Sequence, residues 1–166
     1  MFKRLVEIGR TDIHIDIFEK KKQQDLPFAT IHNVNSKGDA TNDGSRRGIR
    51  LLKTLKADAD EKWESLKSFQ LMSIVHQIPD GHITYSAGRE LAIAKAISSE
   101  IERLITYPEY RKGVQSPNGL ENPFQNDSTV PDLKKLKADL DTVIFDSEEE
   151  LDKVQLYKRA LASYNG

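Results

Sequence analysis

The chain has 166 residues, with 25 Lys and Arg against 26 Asp and Glu, so its formal net charge is -1. This balance does not predict general binding of nucleic acid, and any site for an anion must be a local one. It contains no cysteine, which excludes disulfides, thiolate metal sites and cysteine nucleophiles. It has no apolar run near the roughly 20 residues that span a bilayer, and its charged first residues do not resemble a signal peptide. We therefore expect a cytoplasmic protein.

The first 40 residues are predicted to be β-rich, and residues 41–166 are predicted to form a helical domain. The predicted fold class is therefore α+β but mostly α, with a small N-terminal strand region followed by a bundle of about five helices. The candidate strands are Phe2 to Ile8, Asp12 to Phe18 and Phe28 to Val34, and the second of them alternates strictly between apolar and polar residues.

The second candidate strand places three polar side chains on one face, namely Asp12, His14 and Asp16. Residues at i, i+2 and i+4 of a strand point the same way, so two neighbouring carboxylates could bind Mg²⁺ through their oxygens. A solvent-exposed polar face gives the same alternation and is the commoner case. The spacing alone leaves both interpretations open.

A helix predicted over about residues 43–56 combines an apolar stripe with a basic one. Arg46, Arg50 and Lys53 follow at i, i+4 and i+7 and so share a face. Most basic stripes of this kind are simply the solvent-exposed face of an amphipathic helix. Here no acidic residue lies within residues 44–57, so the usual ion pairs cannot form inside the helix. A loop rich in Gly and Asn leads into the helix start, which also favours phosphate contact.

The next predicted helix opens near Lys67 and Ser68 and is apolar nearly all round. Ser68 is most simply an N-cap, although a hydroxyl beside an ammonium at a helix start could instead hold a phosphate oxygen. His76 of this helix is predicted to be a core or interface residue. Further helices are predicted from Ser86 to about Ile105, from Thr129 to Val143, and from Ser147 onward with Leu151, Val154 and Leu161 directed inward.

The order of these segments resembles the second half of nucleotidyltransferase-superfamily proteins, among them oligoadenylate and cyclic-oligonucleotide synthases and poly(A) polymerase-like enzymes. The resemblance is carried by a polar loop, then NDGSRRGIRLLKTLKAD, then a gap, then LKSFQLMSIVHQIPD. The later loop SPNGLENPFQND looks like the family's closing segment. The resemblance covers roughly residues 10–145, and it implies that the β-rich residues 1–40 are a remnant of a nucleotidyltransferase catalytic domain.

The resemblance implies a set of substrate contacts. Lys53 would contact the triphosphate of a nucleotide such as ATP, with Arg50 and Arg46 on the same helix face. Lys67 and Ser68 would lie beside that triphosphate. A nucleoside triphosphate is therefore the expected partner, together with RNA or a second chain as further candidates.

The resemblance also implies catalytic groups. Asp16, or failing it Asp12, would match the third metal-binding carboxylate, Mg²⁺ would be the cofactor, and the reaction would be nucleotidyl transfer by a two-metal mechanism. The family's earlier Gly-Ser and DxD motif is absent from the eleven residues before Asp12.

Two functions follow from these observations. The first is the carboxyl-terminal portion of a nucleotidyltransferase, which binds the triphosphate and is inactive alone. The alternative is a non-catalytic helical module that binds nucleotide, RNA or protein. Open strand edges within residues 1–35 further predict a homodimer or an N-terminal partner chain.

Overall fold

The computed structural model describes residues 27–59 and 65–164, and within these ranges all regular structure is helical. None of these helices is both long and apolar enough to cross a membrane. The elements are α1 (Pro27–Ala40), α2 (Gly44–Asp58), α3 (Ser68–Gln77), α4 (Asp80–Ile83), α5 (Glu90–Thr106), α6 (Pro108–Gly113), a 3-10 helix (Asp127–Thr129) and α7 (Val130–Tyr164).

The predicted α+β fold class is wrong for the described residues, because the third candidate strand, Phe28 to Val34, lies inside α1. Pro27 occupies the first position of this helix, where the missing N–H of proline costs nothing. Phe28 and Ile31 had indicated a half-buried strand, but they are 86% and 57% exposed. The open strand edge expected here is therefore absent from this segment. The other two candidate strands, within residues 2–18, lie outside the described residues.

Polar side chains help to hold α1 against the rest of the molecule, beside Val34, which packs against the core. The amide of Asn33 donates to the carbonyl of Pro117 over 2.6 Å. One turn later, Lys37 donates from Nζ to the carbonyl of Ile78 over 2.8 Å and to a carboxylate oxygen of Asp80 over 2.6 Å. Asn33 and Lys37 are four residues apart, so one face of the helix makes both attachments.

The core forms around α5, which packs against α2, α3, α4, α6 and α7. The predicted apolar α3 is central, as expected, and Leu71, Ile74 and Val75 are fully buried. Two predicted helix starts differ from the structure. Ser68 is the first residue of α3 and not its N-cap, which is Lys67. The predicted helix that begins at Ser86 is α5, which starts at Glu90, after a turn with Gly88 at φ 79°.

The last two predicted helices form the single helix α7, which is 35 residues and about 52 Å long. No Gly or Pro follows Pro131 within this helix to interrupt it. The Ser147 hydroxyl donates to the carbonyl of Val143 over 2.7 Å, a bond inside a continuous helix. Leu151 and Val154 were predicted to point inward but are 52% and 47% exposed.

Candidate functional site

A tight turn at residues 41–43 sets the position of α2. Asn42 and Asp43 have φ values of 49° and 68°, in the left-handed region that Asn and Asp tolerate better than other side chains. Gly44 follows, and a Cβ atom there would lie 1.7 Å from the carbonyl oxygen of Ile83. The sequence of this turn therefore allows α2 to approach the end of α4 closely.

The carboxylate of Asp43 pairs with the arginines in the first part of the basic stripe. It lies 3.3 Å from Arg46, 3.5 Å from Arg47 and 2.9 Å from Arg50. Arg46 also pairs with Asp39 at 2.6 Å, and this hydrogen bond is the main reason why its pKa is raised. No acidic residue lies within α2 near these arginines, but two acids that precede the helix, Asp39 and Asp43, form the ion pairs instead. Arg46 and Arg50 are therefore ion-paired.

Lys53 differs from these arginines. It lies two helical turns beyond Arg46, about 10 Å along the axis, and is exposed. Among the described residues it makes no hydrogen bond or ion pair. Lys56, one turn further on, donates from Nζ to the carbonyl of Leu66. This bond ties the end of α2 to the segment that opens α3, so Lys53 lies at the same end of the helix pair as the start of α3.

The start of α3 is held in place from both sides. Ser65 donates from its backbone N–H and its hydroxyl to Asp132 of α7 over 2.8 and 2.6 Å. The backbone N–H of Lys67 donates to the side-chain oxygen of Gln70 over 2.6 Å. Lys67 and Ser68 themselves are exposed. The first N–H groups of a helix have no intrahelical acceptor and attract negative charge.

We call Lys53, Lys67 and Ser68 the lysine edge. It combines two ammonium groups, a hydroxyl and a helix start, all of which can donate to phosphate oxygens. The resemblance implied these three residues as substrate contacts, and the bond from Lys56 to Leu66 joins the end of α2 to the segment that opens α3. The predicted carboxylates Asp12 and Asp16 lie outside the described residues. Within the described ranges, no group of three or more His, Cys, Asp or Glu could hold a metal ion.

A polar cavity of about 470 Å³ lies at the other end of α3 and has no counterpart in the sequence predictions. His76 lines it and is partly buried, and its buried Nδ1 atom has no hydrogen-bond partner among the described residues. Burial, followed by the charge of Lys37, lowers the pKa of His76, and Asp80 partly opposes this. His76 lies eight residues after Ser68, about 12 Å along the helix, so the cavity is separate from the lysine edge.

No family model matches the chain. Two curated relatives do match it. A cyclic dinucleotide synthase CdnE from Yersinia aleksiciae is 29% identical over 143 residues, which are 82% of this chain and 37% of the relative. A c-di-GMP synthase from Flavobacteriaceae sp. is 28% identical over 140 residues, which are 80% of this chain and 38% of the relative.

Two solved structures are similar in fold. The STING-associated CdnE c-di-GMP synthase from Capnocytophaga granulosa has a TM-score of 0.69 at 26% identity, over 77% of this chain and 41% of that one. Its counterpart from Flavobacteriaceae sp. has a TM-score of 0.67 at 27% identity, over 74% of this chain and 35% of that one. The chain thus spans about two fifths of the length of these proteins. Over that span it is similar in sequence and in fold to cyclic dinucleotide synthases, which are of the nucleotidyltransferase type.

Proposed function

We propose that this chain is the carboxyl-terminal, triphosphate-binding portion of a nucleotidyltransferase, and that the lysine edge is its phosphate contact. The observation that carries the proposal is a contrast within one helix face. Arg46 and Arg50 are ion-paired with Asp43, whereas Lys53 is exposed and has no ion-pair partner among the described residues. The similarity to cyclic dinucleotide synthases supports the class of ligand.

In this proposal each residue of the lysine edge has one task. Lys53 and Lys67 place positive charge against the triphosphate as compact ammonium groups on flexible stems. Ser68 donates its hydroxyl to a phosphate oxygen, and the adjoining N–H groups of α3 face the same charge. Their combined effect is to hold and orient the triphosphate, which is the main protein contribution to this kind of transfer.

The two arginines have different places in the proposal. Arg46 is engaged by Asp39 and Asp43 and fixes the start of α2. The side chain of Arg50 is 66% exposed, so it can flank the ligand without being its main contact.

Asp16, or failing it Asp12, is proposed as a carboxylate that takes part in holding Mg²⁺, together with carboxylates from elsewhere in a complete enzyme. Mg²⁺, when bound, would neutralise triphosphate charge and orient the reacting oxygens. The described residues contribute positive charge and hydrogen-bond donors to such a site. The proposed role of this chain is therefore binding and orientation.

Equilibrium titration of the chain with ATP and with GTP tests the binding role. Lys53→Gln should weaken triphosphate binding about tenfold, because one charge-assisted contact is lost. Arg46→Gln is the matched control, since it removes a cation of the same stripe that is already paired, and it should leave binding within about twofold. Equal weakening by both variants, or no saturable binding of either nucleotide, would overturn the proposal.

The proposed contribution of this chain to nucleotidyl transfer is tested separately from binding. The chain is mixed with the amino-terminal portion of the Yersinia aleksiciae relative, and Mg²⁺-dependent nucleotide incorporation is measured. Incorporation that is lost in Lys53→Gln supports a shared active site. Triphosphate binding without any incorporation would favour the alternative of a non-catalytic nucleotide-binding module. Binding of short RNA that nucleotides do not displace would favour the RNA-binding version of that alternative.

A further inference from the structure

Two backbone N–H groups at the start of α3 are free to bind a phosphate. Within the described ranges, the N–H groups of Ser68 and Phe69 make no hydrogen bond. The N–H of Lys67 is already used, because it donates to the side-chain oxygen of Gln70 over 2.6 Å. Gln70 is buried, and its amide donates in turn to the carbonyl of Pro123 over 3.3 Å. What the lysine edge can hold therefore depends on the direction in which Ser68 and Phe69 point their N–H groups.

Asp132 of α7 holds the backbone that leads into this helix start. One carboxylate oxygen, Oδ2, accepts both the backbone N–H of Ser65 over 2.8 Å and the Ser65 hydroxyl over 2.6 Å. The next residue, Leu66, is fully buried, and its carbonyl accepts from Lys56. A buried side chain sets how deep the segment lies, whereas two directional bonds to one atom also restrict rotation of the backbone. Asp132 therefore limits the orientation of the backbone three residues before Ser68.

The charge of Asp132 works against the binding of an anion. Ser65 precedes Lys67 by two residues, so the carboxylate that holds it lies close to the lysine edge. Repulsion between a carboxylate and a phosphate is incompletely screened within about 10 Å at 0.1 M salt. Asp132 also lies in the first turn of α7, where an acid stabilises the helix start without any ligand. A contribution of Asp132 to triphosphate binding must therefore come from geometry, and it can be separated from both charge and helix stability.

We propose that Asp132 is a positioning residue for the triphosphate. By holding Ser65, it directs the free N–H groups of Ser68 and Phe69, together with the Ser68 hydroxyl, toward the phosphate oxygens. Donors that are already oriented bind more tightly, because less conformational freedom is lost when the ligand binds. The role rests on the proposed function of the lysine edge and extends it to a residue that itself contacts no phosphate.

Four variants separate geometry from charge and from stability. Asp132→Asn removes the charge but keeps a carbonyl oxygen, and one oxygen already accepts both bonds from Ser65. Asp132→Ala removes the acceptor together with the charge. Ser65→Ala loses only the hydroxyl bond, and it provides the same test if Asp132→Ala does not fold. Asp141→Ala is the matched control, because Asp141 also accepts from a serine hydroxyl, that of Ser98, but lies about 14 Å further along α7.

Equilibrium titration with ATP and with GTP compares these variants with the wild-type chain. Asp132→Ala should bind triphosphate about tenfold more weakly, and Ser65→Ala should lose less affinity. Asp132→Asn should bind within about twofold of the wild-type chain or more tightly, because the bonds remain and the repulsion is gone. Asp141→Ala should bind like the wild-type chain. Amide hydrogen exchange of Ser65 without nucleotide should be faster in Asp132→Ala than in Asp132→Asn, since that N–H has lost its acceptor.

Each other role of Asp132 predicts a different result. Repulsion alone predicts tighter binding by both Asp132 variants, and lost stability alone predicts weaker binding by Asp141→Ala as well. Either result would overturn the positioning role and leave the proposed function intact. An Asp132→Asn chain that binds weakly while its Ser65 amide stays protected would do the same. A wild-type chain that binds neither nucleotide would overturn the proposed function and the positioning role together.

Discussion

Substitution of Gly44 by alanine tests whether the close approach of α2 to α4 positions the helix that carries the lysine edge. The added Cβ would lie 1.7 Å from the carbonyl oxygen of Ile83, 2.9 Å from its carbonyl carbon and 3.0 Å from the backbone nitrogen of Tyr85. All three atoms belong to the backbone, and ordinary contact begins at 3.4 Å. The variant can relieve the overlap only if α2 moves away from this segment by more than a side-chain rotation allows.

The expected cost follows from this geometry. Overpacking of a well-packed site costs about 1–3 kcal/mol, and a clash between backbone segments belongs at the upper end, near 3 kcal/mol. In a protein of this size each kcal/mol lowers the melting temperature by about 2–4 °C. Gly44→Ala should therefore unfold about 6–12 °C below the wild-type chain.

Thermal unfolding followed by circular dichroism measures this difference. Gly81→Ala is the matched control, because a Cβ at Gly81 meets nothing within 4 Å and alanine favours a helix over glycine by up to about 1 kcal/mol. The control should melt at or above the wild-type temperature. If Gly44→Ala melted within about 2 °C of the wild-type chain, the close approach at Ile83 would not constrain α2.

Two further predictions concern electrostatics. Asp43→Asn keeps a residue suited to the left-handed turn but removes the three exposed arginine pairs, so it should lower the melting temperature in low salt and lower it by less in molar salt. An unchanged melting temperature, or a cost that salt does not reduce, would contradict the pairing. The second prediction is a pH dependence. Because burial lowers the pKa of His76 in the folded state, the unfolded chain binds more protons, and stability should fall as the pH drops below about 6.5. In His76→Gln the denaturation midpoint should depend less on pH below about 6.5 than it does in the wild-type chain, and a wild-type slope in that variant would assign the effect to other groups.

The parts of the fold that were predicted well are those with a local signal. The helix predicted over about residues 43–56 is observed as α2, Gly44–Asp58, because apolar periodicity and a turn-rich start act within one segment. α1 was misassigned because Phe28 and Ile31 are exposed, and because its attachment depends in part on Asn33 and Lys37, which bond to residues 41 to 84 positions away. The continuity of α7 was missed because Ser147 was interpreted as a helix start.

In the candidate site, too, the local features were predicted from the sequence and the contacts between distant segments were not. The basic stripe was visible in the sequence. Its ion pairs with Asp39 and Asp43 were not, because they depend on the left-handed turn at Asn42 and Asp43 that places these acids beside α2. The bond from Lys56 to Leu66, which brings Lys53 to the start of α3, joins elements across a segment with no periodic pattern. The resemblance indicated Lys53 as a triphosphate contact, and the structure distinguishes this exposed lysine from the ion-paired Arg46 and Arg50.

The central claim is that the lysine edge binds the triphosphate of a nucleotide. A ¹H–¹⁵N NMR titration of the chain with ATP and GTP, and with the matching monophosphates, tests it residue by residue. The account predicts that the amides of Lys67, Ser68 and Phe69 shift most, that they respond to triphosphates far more than to monophosphates, and that Lys53→Gln suppresses the effect. Shifts that instead cluster at Gln115 and Gly119 in the polar cavity, or that are equal for mono- and triphosphates, would contradict it.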